Sequence, residues 1–162
     1  MKHFLYTRKS TDVEDKQVLS IEAQLNELRT LAKKENLSIT EEFIEKRTAK
    51  MPGRPIFNEM VKRIQKGEAE GIICWKLDRL ARNPVDGGQI QWLLQESVIK
   101  DIRTHDRSYS PTDNVLMMSV EFGMANQFIR ALSTNTKRGL RAKVKRGEFP
   151  GTAPTGYQND VR

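Results

Sequence analysis

A chain of 162 residues with one cysteine and two histidines is long enough to bury an ordinary core, yet it can close no internal disulfide and has no convincing zinc ligand set. No apolar run reaches bilayer length and the start, MKHFLYTRKS, has no apolar leader. A secreted scaffold, a membrane span and a structural metalloprotein are therefore excluded, and a soluble intracellular protein, cytoplasmic in location, is expected. The net charge of +7 points instead to an anionic partner, most often nucleic acid. Residues 137–148 (KRGLRAKVKRGE) hold six basic side chains and one acid, a net of +5. Residues 149–162 cancel, so +2 remains for the first 136, a near-neutral body with a dedicated polyanion-binding segment.

In chain order, HFLYTR reads as a short strand. From Ser20, SIEAQLNELRTLAKKENL places Ile21, Leu25, Leu28 and Leu31 at helical spacing. Glu22 and Glu27 lie near its start and Lys33 and Lys34 near its end, as the helix dipole favours. SITEEFIE reads as a second strand and KRTAKMPG as a loop. RPIFNEMVKRIQKG is a second helix with Pro55 in its first turn and Gly67 as its stop. The unbroken apolar run of EGIICW marks a central parallel strand covered on both faces. KLDRLARN follows as a loop, then a helix from Pro84 to Gln95 that Gly87 and Gly88 weaken, and VIKDIRTH as a fourth strand. The alternation predicts an α/β fold: a largely parallel four- to five-stranded sheet flanked by helices, with a long C-terminal helix.

That last helix follows a polar loop, SYSPTDN, in which Thr112 or Asp113 is placed to cap it. Residues 114–147 then run without proline, roughly 50 Å if unbroken, too long to lie wholly on a small domain. Its apolar first half (VLMMSVEFGMANQFI) is expected to pack on the domain and on a second subunit, and its basic second half to project outward. The expected organisation is a core over 1–113, the helix over 114–147, and a linker over 148–162 into an absent DNA-binding domain.

Ligands of a parallel sheet collect at the C-terminal ends of its strands. The first strand ends Tyr6-Thr7-Arg8-Lys9-Ser10, and alternation sends Tyr6, Arg8 and Ser10 to one side. The third ends Lys76-Leu77-Asp78-Arg79-Leu80-Ala81-Arg82, where Arg79 and Arg82 share a face if the segment turns helical. Arg54 opens a helix directly before Pro55. Guanidinium groups match phosphate oxygens, and several around one hydroxyl would stabilise its alkoxide and the charge growing on a phosphoryl transition state. Attack by Ser10 on a phosphodiester is the chemistry expected, with Asp78 either holding arginines or shuttling a proton. Either motif alone also fits a surface salt-bridge network.

Together, Tyr6-x-Arg8-x-Ser10, Lys76 to Arg82, SIEAQ at 20–24, Gly53-Arg54-Pro55 and the basic-ended helix resemble the catalytic domain of the serine recombinases, the resolvases, invertases and serine integrases. The resemblance implies Ser10 as the nucleophile that forms a 5′-phosphoserine and releases a 3′-hydroxyl. It implies Arg8, Arg54, Arg79 and Arg82 as phosphate-binding arginines, Asp78 as the motif's aspartate, and Tyr6 and Gln24 as supporting positions. Glu45 falls where many relatives have an aspartate. The partners implied are double-stranded DNA, a homodimer that pairs into a synaptic tetramer, and an accessory protein that sets direction. Lys137, Arg138, Arg141, Lys143, Lys145 and Arg146 are expected to follow phosphates. The Glu-Arg pair of many relatives falls at Phe128 and Ile129, so its role does not carry over, with Arg130 as the neighbouring substitute. Gly147 through Asp160 looks like the junction of the large serine recombinases. The other readings are an inactive DNA-binding and oligomerisation module and an arginine-rich phosphoesterase. Cys74 reads as a small buried hydrophobe, His3 and His105 as isolated, Trp75 and Trp92 as packing groups, and Arg47, Lys50 and Arg107 as solvated surface.

Overall fold

Six successive residues of β1 (Lys2–Arg8), from His3 to Arg8, are buried, which is the position of a strand with neighbours on both edges and layers on both faces. The computed structural model describes residues 1–8, 20–113, 115–151 and 155–156. After β1 come α1 (Ile21–Lys34), β2 (Ser38–Glu45), α2 (Pro55–Gln65), β3 (Gly71–Cys74), α3 (Leu77–Leu80), α4 (Pro84–Gln95), β4 (Asp101–Arg103), β5 (Ser108–Tyr109) and α5 (Val115–Lys145). The sheet order is β2-β1-β3-β4-β5. The first four strands are parallel and β5 is antiparallel to β4.

Alternation along β1 and β3 divides the core. Leu5 and Ile73 meet Leu25, Leu28 and Ala32 of α1 on one face. Phe4, Tyr6, Ile72 and Cys74 join Phe57, Met60 and Ile64 of α2 and Ile90, Leu93 and Leu94 of α4 on the other. The crossovers on either side of β1 thus use opposite faces, and the strand order reverses between β1 and β3. A sheet wound in this way leaves a crevice beyond the carboxyl ends of those two strands.

Local signals set the helix ends. Ser20 caps α1, its Oγ accepting from the Ala23 N–H at 3.2 Å. Asn83 does the same for α4 ahead of Pro84, accepting from the Asp86 N–H at 2.9 Å. Gly67, at φ +80, closes α2. Gly87 weakens α4 as a helix former but suits the close approach of α5: a Cβ there would lie 3.2 Å from the Phe122 ring, a tight contact.

Two segments read as loops are ordered. KLDRLARN contains α3, and SYSPTDN begins with the two residues of β5. One turn of helix and a two-residue strand are both shorter than the periods that would reveal them. Asp113 accepts from the Ser110 N–H at 2.6 Å, folding its own loop.

The chain divides into two compact units, Met1–Asn126 and Gln127–Arg162. In the first, Met118 and Phe122 of α5 enter the core, while Leu116, Met117, Val120 and Met124 are exposed. The second holds the remainder of α5, whose basic residues Lys137, Arg138, Arg141, Lys143 and Lys145 all face solvent. Its end is tied by Glu148 N–H to the Lys143 carbonyl and Gly147 N–H to that of Val144, with Gly147 at φ +76. Among the described residues no helix is long and apolar enough to cross a membrane.

Candidate active site

The crevice beyond β1 and β3 is where Tyr6, Arg8, Arg54, Asp78, Arg79 and Arg82 gather. Tyr6 and Arg8 point to the α2 side of β1, and both are fully buried. Arg54 precedes α2 with extended backbone, φ −76 and ψ 120, as the following proline demands. Its guanidinium lies 4.0 Å from the Phe57 ring centroid and 5.9 Å from that of Tyr6. Its Nη1 donates to the Tyr6 hydroxyl at 2.7 Å and its Nη2 to the Leu80 carbonyl at 2.7 Å. Arg79 and Arg82, from α3 and the residues after it, are buried beside them.

Four guanidinium groups so close need counter-charge. Asp78 accepts from Arg82 Nη2 at 2.9 Å and stands 3.9 Å from Arg79 Nε. Asp86 stands 2.8 Å from Arg54 Nη2. Burial, together with the charges of Arg82 and Arg79, pulls the Arg8 guanidinium down to about 10 from its usual value. A buried cation already crowded by two others favours a bound anion. Burial likewise pushes the Tyr6 phenol up, against the opposing charge of Arg54, so the phenol stays protonated.

Asp78 is partly exposed at the mouth. A cleft of about 370 Å³ opens beside it, lined in part by Lys76, Thr104 and Tyr109. There Glu121 is clamped by Arg107 Nη1 at 3.1 Å and Tyr109 Oη at 2.8 Å, so Arg107 is not merely solvated. Gln24 is buried in the first turn of α1, the helix covering the other face. Ser10, to which the argument from alternation also assigns this side, lies outside the described residues.

Sequence reasoning passed over Asp86 and Asn83, which lie behind the site, and named Glu45 only by resemblance. Asp86 is a first-turn acid of α4, and the signal that could have found it is the Asn-Pro start that places it there. Asn83 Nδ2 donates to Asp86 Oδ2 at 2.8 Å and to the Ala49 carbonyl at 3.1 Å. Glu45, buried at the end of β2, accepts from four backbone N–H groups: Lys46 and Arg47 at 3.0 Å each, Ile56 at 3.1 Å and Phe57 at 3.4 Å. One carboxylate therefore ties the strand end to the N-terminus of α2 and so sets where Arg54 begins.

The remaining residues have other surroundings. Cys74 is a buried thiol whose ionisation burial opposes. His3 is not isolated, since its Nε2 lies 3.0 Å from Asp101 Oδ2 at the opposite end of the sheet. His105 tilts against Trp75 with ring centroids 4.6 Å apart. Trp92 is 54% exposed and is no core residue. Phe128 is also exposed. Arg146 is bound by Glu148 at 2.6 Å.

The family model described as the N-terminal domain of resolvases matches residues 3–149. Among solved structures, the N-terminal catalytic domain of TP901-1 integrase is similar at 21% identity and a TM-score of 0.59, over 82% of this chain and 99% of that one. A resolvase family site-specific recombinase from Streptococcus pneumoniae is similar at 25% identity and a TM-score of 0.56, over 90% and 99%. The C-terminal catalytic domain of ISC1926 TnpA, an IS607-like serine recombinase, shares the fold at 16% identity and a TM-score of 0.55, over 85% of each chain. With the model spanning nearly all of the sequence, the chain belongs to the resolvase family, and what it folds into is the catalytic domain of a serine recombinase.

Proposed function

We propose that this domain breaks and rejoins double-stranded DNA through Ser10. The hydroxyl oxygen bonds to phosphorus, the bond from phosphorus to the 3′ oxygen breaks, and the serine proton ends on that 3′ oxygen. The products are a 5′-phosphoserine and a free 3′-hydroxyl. Because the phosphodiester becomes another phosphodiester, the reverse step on an exchanged strand rejoins DNA without an energy source. Arg8, Arg79 and Arg82 would bear the charge that grows on the phosphoryl oxygens, with Asp78 keeping the last two in place and Arg54, Tyr6 and Gln24 supporting them.

The observation that carries this reading is the burial of four arginines from three separate stretches in one crevice, where burial first, and the charges of Arg82 and Arg79 after it, lower the proton affinity of Arg8. We assign residues 1–113 to the catalytic core, 114–147 to the helix for subunit and DNA contact, and 148–162 to a linker toward a DNA-binding domain. The exposed Leu116, Met117, Val120 and Met124 suit a dimer contact, and the basic turns from Lys137 to Arg146 suit phosphate contact.

The test is a suicide substrate, DNA nicked so that the leaving strand diffuses away, offered to the full-length protein. A covalent protein–DNA adduct with a free 3′-hydroxyl is expected, and none from Ser10→Ala. DNA binding without an adduct, or turnover to free 5′-phosphate, would overturn the assignment.

A further inference from the structure

Arg54 does not stand in the crevice as an open phosphate ligand. Of the five N–H donors a guanidinium carries, Nε and Nη2 both reach Asp86 Oδ2 at 3.2 and 2.8 Å, Nη2 also reaches the Leu80 carbonyl, and Nη1 reaches Tyr6. The Arg54 and Asp86 side chains are 1% and 4% exposed. Neither can leave the other without stranding a buried charge. The flat cation is also sandwiched on Phe57. Arg54 therefore joins three elements at fixed angles: the end of β1 through Tyr6, the end of α3 through Leu80, and the first turn of α4 through Asp86. The groups expected to meet the phosphate, Arg8, Arg79 and Arg82, belong to the first two of those stretches.

We propose that Asp86, steadied by Asn83, is a positioning residue for strand cleavage: its carboxylate fixes Arg54, and Arg54 in turn sets the distance between Arg8 on β1 and the Arg79–Arg82 segment. This rests on the strand-cleavage reading above. Asp86 lies behind Arg54 and touches no reacting atom. Its loss should slow the chemical step while leaving DNA affinity nearly intact, because a small misplacement of catalytic groups by a distant change can cost about a hundredfold in rate.

The test is a double-mutant cycle in the full-length protein, with single-turnover adduct formation on the nicked DNA and the DNA dissociation constant measured side by side. Asp86→Asn is expected to slow adduct formation about a hundredfold and to shift the dissociation constant less than about twofold. Arg54→Lys should slow it at least as much, and Asp86→Asn in the Arg54→Lys background should add almost nothing, as expected of residues acting as one unit. Arginine-selective 15N spectra of the unmutated protein give a second reading. The Arg54 Nε–H should resist solvent exchange and hold its shift when DNA is added. If Asp86→Asn fails to fold, Asp86→Glu, which keeps the charge, enters the same cycle with an expected loss of about tenfold. Losses that add in full, a wild-type rate in Asp86→Asn, or an Arg54 signal displaced by DNA would overturn the proposal alone. An unmutated protein that forms no adduct would overturn the cleavage reading itself.

Discussion

Arg8 is the residue on which folding and chemistry make opposite demands. It is fully buried, and burial and the nearby Arg82 and Arg79 lower its proton affinity to about 10. For a base, a folded-state value below the unfolded one means that the charged form is the costly form. The penalty is present in full at neutral pH and is lifted only as the pH rises above about 10. Arg8→Met should therefore raise the unfolding free energy of the DNA-free protein at pH 7 by ~1–3 kcal/mol, measured in urea, and remove the covalent adduct. A fall in stability would show that Arg8 is better compensated than its surroundings suggest. Alternation along β1 made Tyr6 and Arg8 legible in the sequence, and a lone arginine before a proline made Arg54 so. Asp86 was not, because nothing local separates an acid that favours a helix start from one that reaches a buried arginine 32 positions away.

Among the elements, the boundaries of β2 and α4 follow the sequence pattern to the residue, since SITEEFIE and the Asn-Pro start are sharp local signals. What the pattern could not supply was the link from β2 to α2. Glu45 receives N–H groups from both sides of the intervening loop, a contact set by tertiary approach. Glu45→Ala should cost about 2–3 kcal/mol in urea unfolding, and Glu45→Gln less, because an amide oxygen can still accept part of the set. An unchanged midpoint in the alanine variant would mean that water replaces the carboxylate without loss. The loop's other fastening is Ala49, whose carbonyl accepts from the Arg82 N–H at 3.2 Å and from Asn83.

Across the whole molecule, charge is divided as its linear distribution foretold. Several cations of the first unit are engaged by carboxylates, as in Arg29 with Glu42, Arg63 with Glu41 and Lys100 with Glu70, while Lys137, Arg138, Arg141, Lys143 and Lys145 face solvent. If those residues follow phosphates, replacing Lys137 and Arg141 by alanine should reduce the slope of log affinity against log salt by about 2, with no change in base preference. Arg146→Ala should move it less, because Glu148 already neutralises that cation. Anisotropy titrations across a salt series would read both, and a slope unmoved by the first pair would take this helix out of the DNA interface. The sheet itself is built asymmetrically. At its far end His3 and Arg103 both bind Asp101, and Arg103 reaches on to Glu35, whereas the crevice end collects mutually repelling guanidinium groups. If DNA enters the crevice as proposed, its phosphate backbone would add there the kind of negative charge that Asp101 supplies at the far end of the sheet, so that binding the substrate would also complete the packing of the protein.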